Sequence, residues 1–451
     1  MRHHIRFIAL FLPLLISACG GPGSSGNTSA GTGSGSNSVA PASTLSLSAQ
    51  VGQKLFFDQK LSGSGKMSCA TCHDPNFAYG PPNNLAVQLG GIGLNLQGSR
   101  AAPSLRYKNY TPAYADLLDN PDGVSAPGPG GGFTADGRAD TLAAQAAIPL
   151  LSANEMANAS PAAIVQTVQA ASYAPLFLQA FGSNAFSDAS TAFKYITQAL
   201  QAFQLEDVSF HPYSSKFDLH AANKIGGDLT AAETRGMKVF TDTQSGNCAS
   251  CHYQGAGLNG SSGLFTDFSY EAIGVPRNRS LTQNQNAAFF DMGVCGPFRT
   301  DHLPTSVNAP NQFCGMFKTP TLRNVATRNA FFHNGIITSL LQAIQFYNTR
   351  DTNPEIWYPT MGGTALATPS PDFPNFGLIK TQYKGGVVQK FDDMPAAYGG
   401  NIDPQLPLDG RKAGSTPPMT QQNISDLICF LNTLTDGYHP GVTPTAPACA
   451  N

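Results

Sequence analysis

Two clusters of cysteine and histidine hold the most specific chemistry in this chain. One reads Cys69-Ala-Thr-Cys72-His73, the other Cys248-Ala-Ser-Cys251-His252. C-x-x-C-H is the attachment pattern of c-type haem. Two thiols at that spacing reach the vinyl groups on one edge of a porphyrin. The next His turns under the ring and ligates iron from the proximal side. A single C-x-x-C also suits a redox dithiol, and two pairs could hold zinc. Zinc leaves both histidines unexplained. Two copies, each followed at once by His, point to two covalently bound c-type haems.

The elements before each cluster repeat as well. Gly52-Gln-Lys-Leu-Phe-Phe-Asp58 precedes the first, and Gly236-Met-Lys-Val-Phe-Thr-Asp242 the second. Each reads as a short amphipathic helix, apolar at Val51, Leu55 and Phe56 or at Met237, Val239 and Phe240. Thr230 followed by Glu233 is a capping box for the second. Helical spacing recurs over residues 139–147, 161–181, 189–205, 339–347 and 420–434. The fold expected is mainly α, with two tandem cytochrome c-like haem domains, long loops and little sheet. They would span residues 45–220 and 221–451.

The N-terminus reads as an export signal over residues 1–19. Arg2 and Arg6 precede an apolar stretch of ten residues, too short for a permanent span. Ile16-Ser-Ala-Cys19 resembles a bacterial lipobox, which implies cleavage before Cys19 and a lipid on it; an ordinary signal with a coincidental Cys is the alternative. Residues 20–44 are almost all Gly, Ser, Thr, Asn, Ala and Pro, a flexible tether. The expected location is the periplasm, lipid-anchored to a bacterial membrane. Four further cysteines, 295, 314, 429 and 449, suggest two disulfides in that oxidising compartment. Three connectivities exist, and the local pairing 295–314 with 429–449 is preferred.

Charged residues make up 12% of the chain and the net charge is −2, with no basic tract. Nucleic-acid binding through a basic surface is therefore not expected. There is no phosphate-binding Gly-Lys loop, H-E-x-x-H or Rossmann fingerprint.

Further motifs join the haem pairs: Asp136-Gly-Arg138, the stretch from Gln145 to Met156, Phe317-Lys-Thr-Pro-Thr-Leu-Arg-Asn324, Phe332-His-Asn-Gly335 and Phe346-Tyr347. With these, residues 45–437 resemble the bacterial dihaem cytochrome c peroxidase superfamily, and within it the MauG-like branch. The resemblance implies that His73 serves a peroxide-reactive haem and His252 an electron-transfer haem. It implies Gln145 and Glu155 over the peroxide face, with Pro149 between them. Peroxide cleavage moves a proton from the near oxygen to the leaving one. A carboxylate can carry it while an amide positions the peroxide. Without the resemblance, Glu155 would read as a solvated residue at a helix end.

Two positions bear on the branch. Many of these peroxidases carry a His soon after the first haem motif that blocks the reactive iron. This chain has no His between His73 and His211, and Gln88-Leu-Gly-Gly-Ile92 fills that loop. The first haem is expected to be open. The distal ligand of the second haem, a Met in the peroxidases, maps to Tyr347, as in the MauG-like branch. Phenolate favours ferric iron and thioether ferrous iron. Tyr347 could instead be a core aromatic, with Met292, Met316, Met361 or His302 as ligand.

The chain also departs from the family. The Trp between the haems maps to Ala135. A calcium ion is implied on the carbonyls of Arg328 and Ala330, but its Asn ligand maps to Ala101. Three functions remain. The preferred one uses hydrogen peroxide to form a high-valent haem state that oxidises a partner protein. The second is a cytochrome c peroxidase fed by a small electron-donor protein. The third is a non-enzymatic electron carrier. The partner and the oligomeric state are not legible.

Overall fold

The computed structural model describes residues 44–255, 262–303, 311–365, 383–441 and Cys449. The signal segment, Cys19 and all but the end of the tether lie outside the described residues. Among the described residues the chain is mostly helical. The helices are α1 (Leu47–Phe57), α2 (Cys69–Cys72), α3 (Leu142–Leu151), α4 (Pro161–Gln169), α5 (Ala174–Phe181), α6 (Ala189–Glu206), α7 (Lys216–Ala221), α8 (Ala231–Thr241), α9 (Leu340–Thr349) and α10 (Gln421–Asn432). Sheet is limited to antiparallel pairs. These are β1 (Leu89–Gly90) with β2 (Leu96–Gln97), β3 (Ala115–Leu118) with β4 (Gly128–Gly130), and β5 (Tyr270–Glu271) with β6 (Phe317–Lys318). In addition β7 (Thr360–Met361) pairs with β10 (Val387–Val388), and β8 (Thr364–Ala365) with β9 (Tyr383–Lys384). No described helix is long and apolar enough to cross a membrane.

The repeated sequence folds into repeated packing. Helix α1 crosses α6, and α8 crosses α10. At each crossing the repeat has glycine. A Cβ on Gly52 would fall inside the Ala199 carbonyl, and one on Gly236 inside the Asp426 carbonyl. The backbones touch there because no side chain separates them. Below the first crossing Leu55 and Phe56 are buried with Leu200, Phe203 and Phe210. Below the second, Val239 and Phe240 are buried with Leu427, Phe430 and Leu431. Each such side chain contributes roughly 2 kcal/mol by leaving water. The two clusters are separate cores.

Local signals set the ends. Ser46 Oγ accepts from Ala49 N–H at 3.1 Å and caps α1. Thr230 and Glu233 form the capping box of α8, and Glu233 also pairs with the buried Lys216 at 2.6 Å. The helical spacing over 161–181 is interrupted after Gln169. Pro175 lacks an N–H and disfavours helical geometry before it, so the chain turns and restarts as α5. Helix α3 begins at Leu142 rather than 139, because the Thr141 hydroxyl caps Ala144 while Ala139 bridges Phe133. The local disulfides Cys295–Cys314 and Cys429–Cys449 are both present.

Candidate functional site

Both C-x-x-C-H motifs sit in one helical turn, and in each the His N–H donates to the first Cys carbonyl, at 2.9 Å for His73 and 2.8 Å for His252. His73 Nδ1 lies 3.1 Å from the Tyr79 carbonyl, and His252 Nδ1 lies 3.1 Å from the Phe265 carbonyl. A carbonyl only accepts, so Nδ1 carries the proton and Nε2 presents its lone pair. Burial holds both rings neutral, lowering each to about 4.

A second pair of matched segments supports the two histidines. Pro103-Ser104-Leu105-Arg106 and Pro320-Thr321-Leu322-Arg323 are alike. Ser104 Oγ donates to the Ala78 carbonyl at 2.5 Å, and Thr321 Oγ1 to the Leu264 carbonyl at 2.6 Å. Leu105 N–H donates to Tyr79 and Leu322 N–H to Phe265, the carbonyls that orient the histidines. Sequence reasoning missed this Pro-Ser/Thr-Leu-Arg repeat, although it was legible.

The four thiols are free. Burial pushes Cys69 up to about 12, Cys72 to about 11 and Cys248 to about 12, and raises Cys251 as well. A redox dithiol needs the opposite, a lowered thiol. Among the described residues no three His, Cys, Asp or Glu side chains gather as metal ligands, so the two pairs do not form one zinc site. Each half offers two neutral thiols, one neutral imidazole whose Nδ1 is committed to a carbonyl, and apolar surroundings. These residues fit a covalently attached haem.

Around the first site, Gln145 and Pro149 lie on α3, and Glu155 follows on a tight turn. Met156 N–H donates back to the Pro149 carbonyl at 3.1 Å and Glu155 N–H to Ser152 at 3.1 Å. Burial raises the Glu155 carboxyl, partly offset by the Ser152 hydroxyl and the Arg138 charge. Its charge in turn raises Cys72, so the two side chains are within electrostatic reach of each other. The loop 88–92 lies directly on this turn, with Gly91 N–H on the Glu155 carbonyl at 2.8 Å. Arg138 is held by Asp136 at 2.7 Å, and Asp136 also binds Arg100 at 2.9 Å.

Tyr347 is half-buried on α9, 5.9 Å between ring centres from Phe332. Burial raises its phenol, and Cys251 and Cys248 raise it further, so it is within electrostatic reach of the second haem motif. The four rivals have other surroundings. Met361 is 66% exposed. His302 is held between Asp116 and Asp301 at 2.8 and 3.0 Å. Met292 and Met316 pack around Tyr270 and the Cys295–Cys314 disulfide. His333 is buried and stacks on Phe317, ring centres 3.7 Å apart. The segment carrying Ala135 is braced by Tyr270, whose hydroxyl donates to the Gly131 carbonyl at 2.7 Å. The Ala330 carbonyl, one expected calcium ligand, accepts instead from Arg328 Nη2 at 3.0 Å.

Two such haem-attachment sites in one mostly helical chain fit the class of dihaem proteins. The family model for di-haem cytochrome c peroxidase matches residues 46–225. The methylamine utilization protein MauG of Paracoccus denitrificans (strain Pd 1222) is 34% identical over 310 residues, 66% of this chain and 74% of that protein. The cytochrome c551 peroxidase of Nitrosomonas europaea is 28% identical over 297 residues, 66% of this chain and 71% of that protein. The crystal structure of the diheme peroxidase BthA from Burkholderia thailandensis E264 superposes with a TM-score of 0.72 at 35% identity, covering 89% of each chain. The chain belongs to the di-haem cytochrome c peroxidase family. It is a peroxide-dependent oxidoreductase with two c-type haems, working on hydrogen peroxide with a partner protein.

Proposed function

We propose that this chain is a periplasmic, lipid-tethered enzyme that uses hydrogen peroxide to oxidise a partner protein, as in the MauG-like branch. Residues 45–220 form the peroxide-reactive domain and residues 221–451 the electron-transfer domain. The observation that carries the reading is Tyr347 within electrostatic reach of Cys248 and Cys251, where a peroxidase of this family has Met.

The haems, when bound, supply the iron that takes up the oxidising equivalents of peroxide. The chain's own residues do the rest. Cys69 and Cys72, and Cys248 and Cys251, fix the two groups covalently. His73 and His252 would ligate the irons through Nε2, because Nδ1 is committed to a carbonyl. Gln145 orients peroxide by hydrogen bonding. Glu155 accepts the proton of the bound peroxide at one oxygen and returns it to the leaving oxygen. Gly90 and Gly91 leave the peroxide face clear of an imidazole. Tyr347 would hold the second iron through an anionic phenolate oxygen, a donor that favours the ferric state.

The cytochrome c551 peroxidases among the relatives support a second reading, a peroxidase that takes electrons from a small donor protein. Two reactions separate the readings. The MauG-like reading expects fully ferric protein to react within seconds with one equivalent of peroxide, and slow turnover with a reduced c-type cytochrome. Fast turnover with the cytochrome and no reaction of the ferric protein would establish the peroxidase reading instead.

A further inference from the structure

Arg328 occupies an unusual place for a buried cation. Its Nη2 donates to two backbone carbonyls, Ala330 at 3.0 Å and Ala102 at 3.2 Å. A guanidinium is always charged; among the described residues it forms no ion pair, and these two carbonyl dipoles face it.

The two carbonyls belong to different halves of the chain. Ala102 lies in Arg100-Ala-Ala-Pro103, which leads directly into the Ser104 and Leu105 contacts under His73. Ala330 lies in the segment before His333. The same two segments are joined by Ala101 N–H to the His333 carbonyl at 2.8 Å. The guanidinium thus fastens the support of the first haem ligand to the second half.

This junction is where the family resemblance implies calcium, and the residues do not fit that ion. Calcium takes 6–8 oxygens. Residue 101 offers a methyl group where the resemblance implies an Asn oxygen, so the site lacks its one side-chain donor. The Ala330 carbonyl is already engaged by a cation, and a second positive charge beside it would be repelled. We propose that the Arg328 guanidinium is a built-in replacement for the calcium ion, a fixed positive charge that joins the two halves at the segment supporting His73.

The test uses purified holoprotein. Calcium is counted by elemental mass spectrometry, and the ferric spectrum and Tm are recorded before and after EGTA and again after added CaCl2. The proposal expects far less than one calcium per chain and no change in either property. One tightly bound calcium per chain, or a spin-state change on chelation that calcium reverses, overturns it. The second arm is potentiometric. Arg328→Gln removes the charge, so the first haem's midpoint potential falls while the second's holds, and Arg328→Lys keeps the first close to wild type. An unchanged potential in Arg328→Gln also overturns the proposal. If Arg328→Gln does not fold, the calcium count on the wild type still decides.

Discussion

The backbone N–H of Gly91 donates to the carbonyl of Glu155 at 2.8 Å, and this bond lays a glycine loop against the residue proposed as the acid of the peroxide site. A Cβ on the neighbouring Gly90 would meet the backbone of Asn154 and Glu155 at 2.6–2.7 Å. The loop that carries no blocking His is thus also the loop that fixes the acid. Gly90→Ala should displace residues 153–155 and slow the peroxide reaction with little change in haem content, read by stopped-flow absorption and pyridine haemochrome.

Glu155→Gln keeps the shape and removes the proton carrier. The peroxide reaction should slow by about 10²–10⁴-fold, the range of general acid–base catalysis. Burial raises the Glu155 pKa, and the carboxylate is the form that accepts the proton. Activity in the wild type should therefore be lost on acidification at a pH above that of an ordinary carboxyl. A stopped-flow pH profile checks this; a midpoint at or below the ordinary value contradicts it.

Tyr347→Met exchanges a phenolate for a thioether. The second haem's potential should rise, because thioether stabilises ferrous iron. Its low-spin EPR signal should shift, and reaction of the fully ferric protein with peroxide should weaken. Unchanged EPR parameters would mean that another residue ligates this haem.

Gly236→Ala places a methyl group inside the Asp426 carbonyl at the α8–α10 crossing. Overpacking of this kind costs about 1–3 kcal/mol. Gly52→Ala should cost a similar amount at the α1–α6 crossing. Thermal unfolding of the two variants measures both, and a loss from only one would show that the crossings are not equivalent.

Removing the Cys429–Cys449 disulfide by Cys449→Ser reopens a loop with a sequence separation of 20. The loop-closure argument gives a loss of about 3 kcal/mol. Denaturant unfolding reads it directly.

The haem motifs, the helices before them and the helical class were legible because short-range spacing decides them. The break at Pro175 was legible in principle, since proline acts on its immediate neighbours. The later start of α3 was not, because Ala139 is drawn into a bridge with Phe133, a contact between segments. The Pro-Ser/Thr-Leu-Arg repeat was short enough to escape notice beside C-x-x-C-H. The hold of Arg328 on Ala102 and Ala330 was out of reach. It joins residues 226 positions apart, and the sequence carries no periodic signal for such a contact. The positions of Gln145, Glu155 and Tyr347 came from family resemblance; the structure adds the burial and neighbours of Glu155 and Tyr347.

The most direct test of the central claim is EPR of the fully ferric protein before and after one equivalent of peroxide, with no reductant. An open first haem and a Tyr347-ligated second haem predict one high-spin and one low-spin signal, both lost within seconds of mixing. Two low-spin signals that persist until the protein is half-reduced would contradict the account.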